Sequence, residues 1–337
     1  MKFKYRLTLG FLFPAVIILA PLLSACIAQT STSTPQSSAS STTPAASSHT
    51  PVASSTTPFD GYALYESCSP KDEATCLSHL NTMAEAGFKL VINYDEMYGD
   101  ASFQKAYLDH AQSVGMKVII PLKDPTFYNG ASLRSEFPAV AETCDCTDNT
   151  GFIQYVVNLV KNHPAVWGYY IGDEVDPGNH DEMKSRLADL VHQLDPKHPR
   201  LFIDNAGESI SVWHGNSPFF DTAEVIGTDF YPIRGGASDY PTIDQTGAVA
   251  FGIQAYANAH KEGSAIVLQA FSYSEYNTPG APYPTAEQMQ SMLSQTLANA
   301  HPRIILWYSY YDTMAYDNAD QHWNDLKSII ARNKPKE

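Results

Sequence analysis

The chain of 337 residues carries 21 Lys and Arg against 36 Asp and Glu, giving a formal net charge of −15, and is 12% aromatic with Tyr its most frequent ring. Acidity on this scale excludes a nucleic-acid or anionic-membrane role for the globular part, which would need a basic face. The length exceeds a typical small domain and accommodates one large α/β unit behind an N-terminal leader.

Residues 1–25 open with Lys2, Lys4 and Arg6 and continue as an apolar run from Leu7 to Leu23, the pattern of a secretion signal rather than a membrane span. The ending Leu23-Ser24-Ala25-Cys26 resembles the lipobox of bacterial lipoproteins. That resemblance implies cleavage before Cys26, acylation of its sulfur and new amino terminus, and anchoring to the outer face of a bacterial cell membrane. Loss of the leader takes the formal charge from −15 to −18. Residues 26–58 are almost wholly Ser, Thr, Pro, Ala and Gln, a composition that buries no core and serves as a tether with a reach of about 30 Å.

The remaining segment, residues 59–337, alternates apolar runs with amphipathic stretches. Strands are expected at Phe59–Glu66, Leu90–Tyr94, Lys117–Leu122, Val166–Gly172, Arg200–Asp204, Val225–Tyr231, Ala265–Phe271 and Ile304–Ser309. Helices are expected at Glu73–Ala86, Ser102–Val114, Gly151–Asn162, Asp181–Leu194, near Ser209–Trp213, and at Asp244–His260, Ala286–Ala300 and Ala319–Ala331. Eight strand–helix repeats close most naturally as a (β/α)8 TIM barrel. A doubly wound open sheet lacks the Gly-rich phosphate loop after its first strand. Gly87, Gly115 and Gly263 sit where helices end and strands begin, as C′ glycines. The even set Cys68, Cys76, Cys144 and Cys146 favours two disulfides in an exported chain. Neighbour pairing is simplest, and crossed pairing stays open.

Chemistry concentrates where the fourth strand ends. Trp-Gly-Tyr-Tyr-Ile-Gly-Asp-Glu (167–174) delivers Asp173 and Glu174 to a strand end, where barrels build their sites on rigid supports. With Gly-Thr-Asp-Phe-Tyr-Pro-Ile (227–233) on strand six and Leu-Trp-Tyr-Ser-Tyr-Tyr-Asp (306–312) on strand eight, the order resembles the clan A glycoside hydrolases. The resemblance implies that Glu174 is the general acid/base and that Asp173 stands where that clan has a sugar-binding Asn. It also requires a nucleophilic Glu at the end of strand seven, where this chain has Gln269. Glu275, Asp229 and Asp312 are the available substitutes, and Asp229 is preferred because it lies on a strand beside the stiff Phe230-Tyr231-Pro232. Carboxyls about 5 Å apart would mean retention, and about 6.5–9.5 Å inversion; substrate assistance, with Asp229 or Tyr231 orienting, ranks below both.

Flat side chains stack on the C–H faces of sugars. Tyr231, Tyr273, Tyr276, Trp307, Tyr308, Tyr310 and Trp213 are therefore candidate contacts, with Gln269 and Glu275 as polar partners and carbohydrate as the ligand. Glu66, Asn93 to Glu96, Lys123, Asp124, Asp204 and Asn205 also end strands. No Gly-x-Ser-x-Gly elbow, His-Glu-x-x-His helix or cofactor fingerprint is present in the sequence, so no cofactor or metal is expected. The competing expectation is a carbohydrate-binding relative without turnover, and a monomer is the default.

Overall fold

The computed structural model describes residues 58–205, 217–235, 242–276, 278–316 and 318–334. Cys26, the tether, Trp213 and the short helix expected near it lie outside the described residues. Eight parallel strands form a closed barrel in sequence order: β1 (Gly61–Glu66), β2 (Leu90–Asn93), β3 (Lys117–Pro121), β4 (Val166–Asp173), β5 (Arg200–Asn205), β6 (Val225–Phe230), β7 (Gly263–Gln269) and β8 (Ile304–Tyr308). Pairing of Gly61 with Ile304 through Leu64 with Trp307 closes the ring. Helices α1 (Glu73–Ala86), α2 (Ala101–Ser113), α3 (Leu133–Glu136), α4 (Pro138–Ala141), α5 (Asn149–Val160), α6 (His180–Met183), α7 (Asp189–Leu194), α8 (Thr246–His260), α9 (Ala286–Asn299), α10 (Tyr310–Ala315) and α11 (Ala319–Arg332) follow in order.

Alternation along the strands splits the apolar residues into two cores, because successive side chains point to opposite faces. Ala63, Ile92, Ile203, Val267 and Leu306 fill the lumen. Leu64, Val91, Ile266, Ile305 and Trp307 pack outward under the helices. Strand β4 departs from strict alternation, with register shifts against both neighbours. Trp167 and Tyr170 face the lumen while Tyr169 and Ile171 pack outward. Bulges of this kind re-aim a strand end, and here they turn Asp173 into the mouth. Gly172 is required at the second shift, since a Cβ there would lie 2.6 Å from the Phe202 ring.

Three local expectations change. Helix α8 ends on Lys261 at φ 64°, so Lys261, not Gly263, is its left-handed cap. Gly263 begins β7. The stretch expected as one helix over Asp181–Leu194 is interrupted by a π-turn at Lys184–Ala188. Helix α10 is new: Ser309 accepts from the amide of Asp312 and starts a helix directly at the end of β8. Disulfides join Cys68 to Cys76 and Cys144 to Cys146, each within one loop region.

Candidate active site

The C-terminal ends of the strands open into a cleft of ≈ 330 Å3, walled by Tyr65, Tyr94, Tyr231, Phe271, Tyr273, Tyr276 and Tyr308 and carrying Lys123, Asp173, Glu174, Asn205, Asp229 and Arg234. Each polar residue is supplied by a strand end or by the loop directly after it. Lys123 Nζ donates to Asp173 Oδ2 at 3.0 Å and lies 3.8 Å from the centroid of the Tyr94 ring. Tyr94 donates its hydroxyl to the same oxygen at 3.2 Å. Asp173 is thus held by a cation and a phenol at once, and Lys123 by a carboxylate and a π-face.

Glu174 follows with φ 49°, a left-handed conformation uncommon for a residue bearing a Cβ. Its amide donates to Ile203 O at 2.9 Å and its Oε1 accepts from Asn205 Nδ2 at 2.8 Å. The bend after β4 therefore separates two neighbouring carboxylates: Asp173 turns to Lys123, while Glu174 is exposed and turns to Asn205. Backbone held in this region costs on the order of 1–3 kcal/mol and clusters at functional sites. Asp229, 9% exposed, lies on β6 opposite Asn205 in the β5–β6 register. Glu174 and Asp229 are thus two strand positions apart, about 10 Å at the backbone.

The tyrosines are held as neutral donors. Burial raises Tyr65, Tyr94 and Tyr231 well above the usual phenol range, with the charge of Asp173 adding in the same direction for all three and that of Asp229 for Tyr65 and Tyr231. Tyr308 is pushed up to about 12, again mainly by burial. Phe271 makes edge contacts with Tyr231, Tyr273, Tyr276 and Tyr308, locking four cleft rings around one apolar hub. Arg234 lies over Tyr273, 4.8 Å from its centroid, and its Nε donates to Tyr231 O at 3.2 Å.

Of the residues expected from sequence, the cleft brings together Asp173, Glu174, Asp229, Tyr231, Tyr273, Tyr276 and Tyr308. Five others are corrected. Trp307 is 0% exposed and faces outward, because it falls between the lumen-facing Leu306 and the cleft residue Tyr308. Tyr310 is buried in α10, edge-on to Trp323 and His79. Glu275 is exposed outside the cleft lining, at the end of a single 3-10 turn. Gln269 is 0% exposed with its amide committed to backbone: Nε2 donates to Ile233 O at 2.9 Å and Phe271 O at 3.1 Å, and Oε1 accepts from Ile233 N at 2.8 Å. It clamps the loop after β6 to β7, and this loop carries Tyr231 and Arg234. Asp312, another substitute nucleophile, is 5% exposed and bonded to Tyr276 rather than lining the cleft.

Gln269→Glu is accordingly expected to create no activity. Two donor bonds become carboxylate–carbonyl repulsions, at a cost of about 1–3 kcal/mol in a urea melt. A melt matching the native protein, or new glycosidase activity, would show that this amide is not the clamp.

Among other strand-end acids, Glu66 turns outward to His79 Nδ1 at 3.0 Å. Glu96 is 0% exposed, and neither carboxylate oxygen finds a partner among the described residues. Burial pushes the Glu96 carboxyl from 4.5 up to about 8. An acid whose pKa is higher folded than unfolded retains its proton on folding between those values, so stability falls as pH rises through that window. The slope is at most about 1.4 kcal/mol per pH unit, and on the order of 3–5 kcal/mol is lost above the window. Glu96→Gln should flatten this dependence between pH 5 and 8.5 and exceed the native stability at the upper end. Parallel pH profiles for the two proteins would exclude Glu96 as the cause.

Sequence reasoning missed Tyr65, Phe271 and Arg234. Tyr65 was legible in principle, as the last lumen-side position of β1. Arg234 was not, because its loop is fastened by contacts with distant segments, the Gln269 clamp on Ile233 and the ring of Tyr273.

No family model matches the sequence, and no curated protein matches it. Solved structures do match. A candidate α-L-fucosidase from Bacteroides thetaiotaomicron superposes with a TM-score of 0.56 at 12% identity, covering 81% of this chain and 94% of that one. A family 5 glycoside hydrolase variant from Streptomyces cattleya, in complex with Manβ1-4GlcNAc, gives 0.53 at 12% identity and covers 82% of each chain. The β-mannanase of the blue mussel Mytilus edulis gives 0.50 at 12% identity, covering 81% and 92%. What the chain shares with them is the closed eight-stranded parallel barrel ringed by helices. At this identity the likeness concerns the fold, and chemistry must be argued from the cleft itself.

Proposed function

We propose that the barrel hydrolyses O-glycosidic bonds of a glycan, with Glu174 as general acid/base and Asp229 as the second carboxylate. The observation that carries this reading is the pair Asp173–Glu174 at the end of β4, split so that Asp173 is ion-paired while Glu174 meets the cleft beside Asn205. Such an arrangement gives two adjacent acids different tasks: one fixed for binding, one placed to deliver a proton to a leaving oxygen. The aromatic wall suits the C–H faces of sugars and excludes water around them. Among the described residues Asp229 is the remaining carboxylate lining the cleft, and in this reading it activates the attacking water or itself attacks as that bond breaks.

A carbohydrate-binding protein without turnover is the second reading, favoured by the clamped amide of Gln269 where a nucleophile is expected. Incubation of the native barrel with aryl glycosides and polysaccharides separates the two: release of phenol or reducing ends supports the enzyme, and saturable binding without release supports the second reading. We further propose that Cys26 is acylated and residues 26–58 tether the barrel outside a bacterial cell membrane. An alkyne fatty acid fed to expressing cells should label the chain, and Cys26→Ala should abolish the label.

A further inference from the structure

Among the described residues lining the cleft, two are cations, and they are held differently. Lys123 follows β3 and gives its charge to Asp173 at 3.0 Å. Arg234 follows β6, three strands further round the ring. Its Nε donates to Tyr231 O at 3.2 Å, and its guanidinium carbon lies 4.8 Å from the centroid of the Tyr273 ring. Neither that carbonyl nor that ring carries a formal charge. The chain on both sides of Arg234 is also fixed. Ile233 is bonded through its N and O to the Gln269 amide, at 2.8 and 2.9 Å. Gly235 adopts φ 74°, and a Cβ there would lie 2.7 Å from Ala281 Cα, so the loop after β6 lies directly against the loop after β7. Ala281 O in turn accepts from Ser272 Oγ at 2.5 Å.

Fastening a long side chain in this way removes part of the entropy that binding would otherwise cost. A guanidinium is planar, has five N–H donors and pairs bidentately with carboxylate or sulfate oxygens, which an ammonium cannot do. We propose that Arg234 is the specificity-determining residue of the cleft, and that the glycan taken is acidic, with a uronate carboxylate or a sulfate ester pairing with the guanidinium. Lys123 and Asp173 cancel within their own pair, so the acidic group meets Arg234 on the β6–β7 side of the mouth, away from that pair. The inference rests on the carbohydrate reading of this cleft.

Calorimetry on the full chain tests it, at a physiological salt concentration that screens the repulsion between a polyanion and a chain of net charge −15 to a range of about 8 Å. The probes are oligogalacturonates, oligomannuronates and hyaluronan oligosaccharides, each beside its methyl ester, chondroitin sulfate oligosaccharides beside their desulfated form, and neutral cello- and manno-oligosaccharides. In at least one pair the acid should bind roughly 10- to 100-fold more tightly than its ester or desulfated partner, the range for a hydrogen bond to a charged group. The pair that responds tells carboxylate from sulfate. In Arg234→Gln that ratio should fall to near one, and Arg234→Lys, which keeps the charge without the planar fork, should retain part of it. A substitution that merely loosened the loop would weaken acid and ester alike. Binding of neutral oligosaccharides with no preference for any acid, or an acid preference that survives Arg234→Gln, overturns the assignment and leaves the carbohydrate reading standing. Absence of binding by every probe overturns both.

Discussion

Glu174→Gln is expected to lower kcat/KM of the barrel toward its aryl glycoside by about 10²- to 10⁴-fold, the usual contribution of a general acid. The amide cannot deliver a proton, yet its oxygen still accepts from Asn205, so the side chain stays where Glu174 stood. Stability should therefore remain within about 0.5 kcal/mol of native. That combination separates a chemical role from a structural one. Glu174→Gly supplies the control: it too removes activity, but relieves the positive φ at this position and should melt no lower than the native protein. Activity of Glu174→Gln within tenfold of native would remove Glu174 from the mechanism and return attention to Asp229.

Trp307→Ala should cost about 3–5 kcal/mol in a urea melt, the range for removing a large buried ring. Trp307 is fully buried in the outward layer, and its Nε1 finds no hydrogen-bond partner among the described residues. Trp307→Phe consequently loses no bond, only volume, and should keep full sugar affinity. This result would separate Trp307 from Tyr308, its neighbour in the cleft wall. Loss of sugar binding without loss of stability in Trp307→Ala would mean that β8 presents the opposite face to the lumen.

The Gln269 clamp and the Asp312–Tyr276 bond have a common consequence. The loops after β6 and β7 are each fastened by a residue of the next strand or its following helix, so the mouth is built by neighbours rather than by each loop alone. Loops gain precision this way without regular structure. Substitutions at these fasteners should disturb binding geometry as well as stability.

The eight-strand order was legible because it is local: apolar runs, helix starts and Gly87 or Gly115 at helix ends are written in contiguous residues. So was the placement of Asp173 and Glu174 at a strand end, since leaving a buried strand requires a change of composition. What the two carboxylates do was decided by tertiary structure. Lys123 reaches Asp173 from 50 residues away and Asn205 reaches Glu174 from 31, pairings that no spacing encodes. The faces of Trp307 and Tyr308 were likewise undecided, because a one-residue change of register exchanges lumen and exterior, and only barrel closure fixes that register. Gln269 shows the same limit: its place on β7 is in the sequence, but the backbone groups that occupy its amide belong to a loop brought there by folding. Sequence by itself determined the elements and the strand end where chemistry collects; contacts between distant segments decided which side chains meet, because hydrogen bonds and packing depend on distance in space.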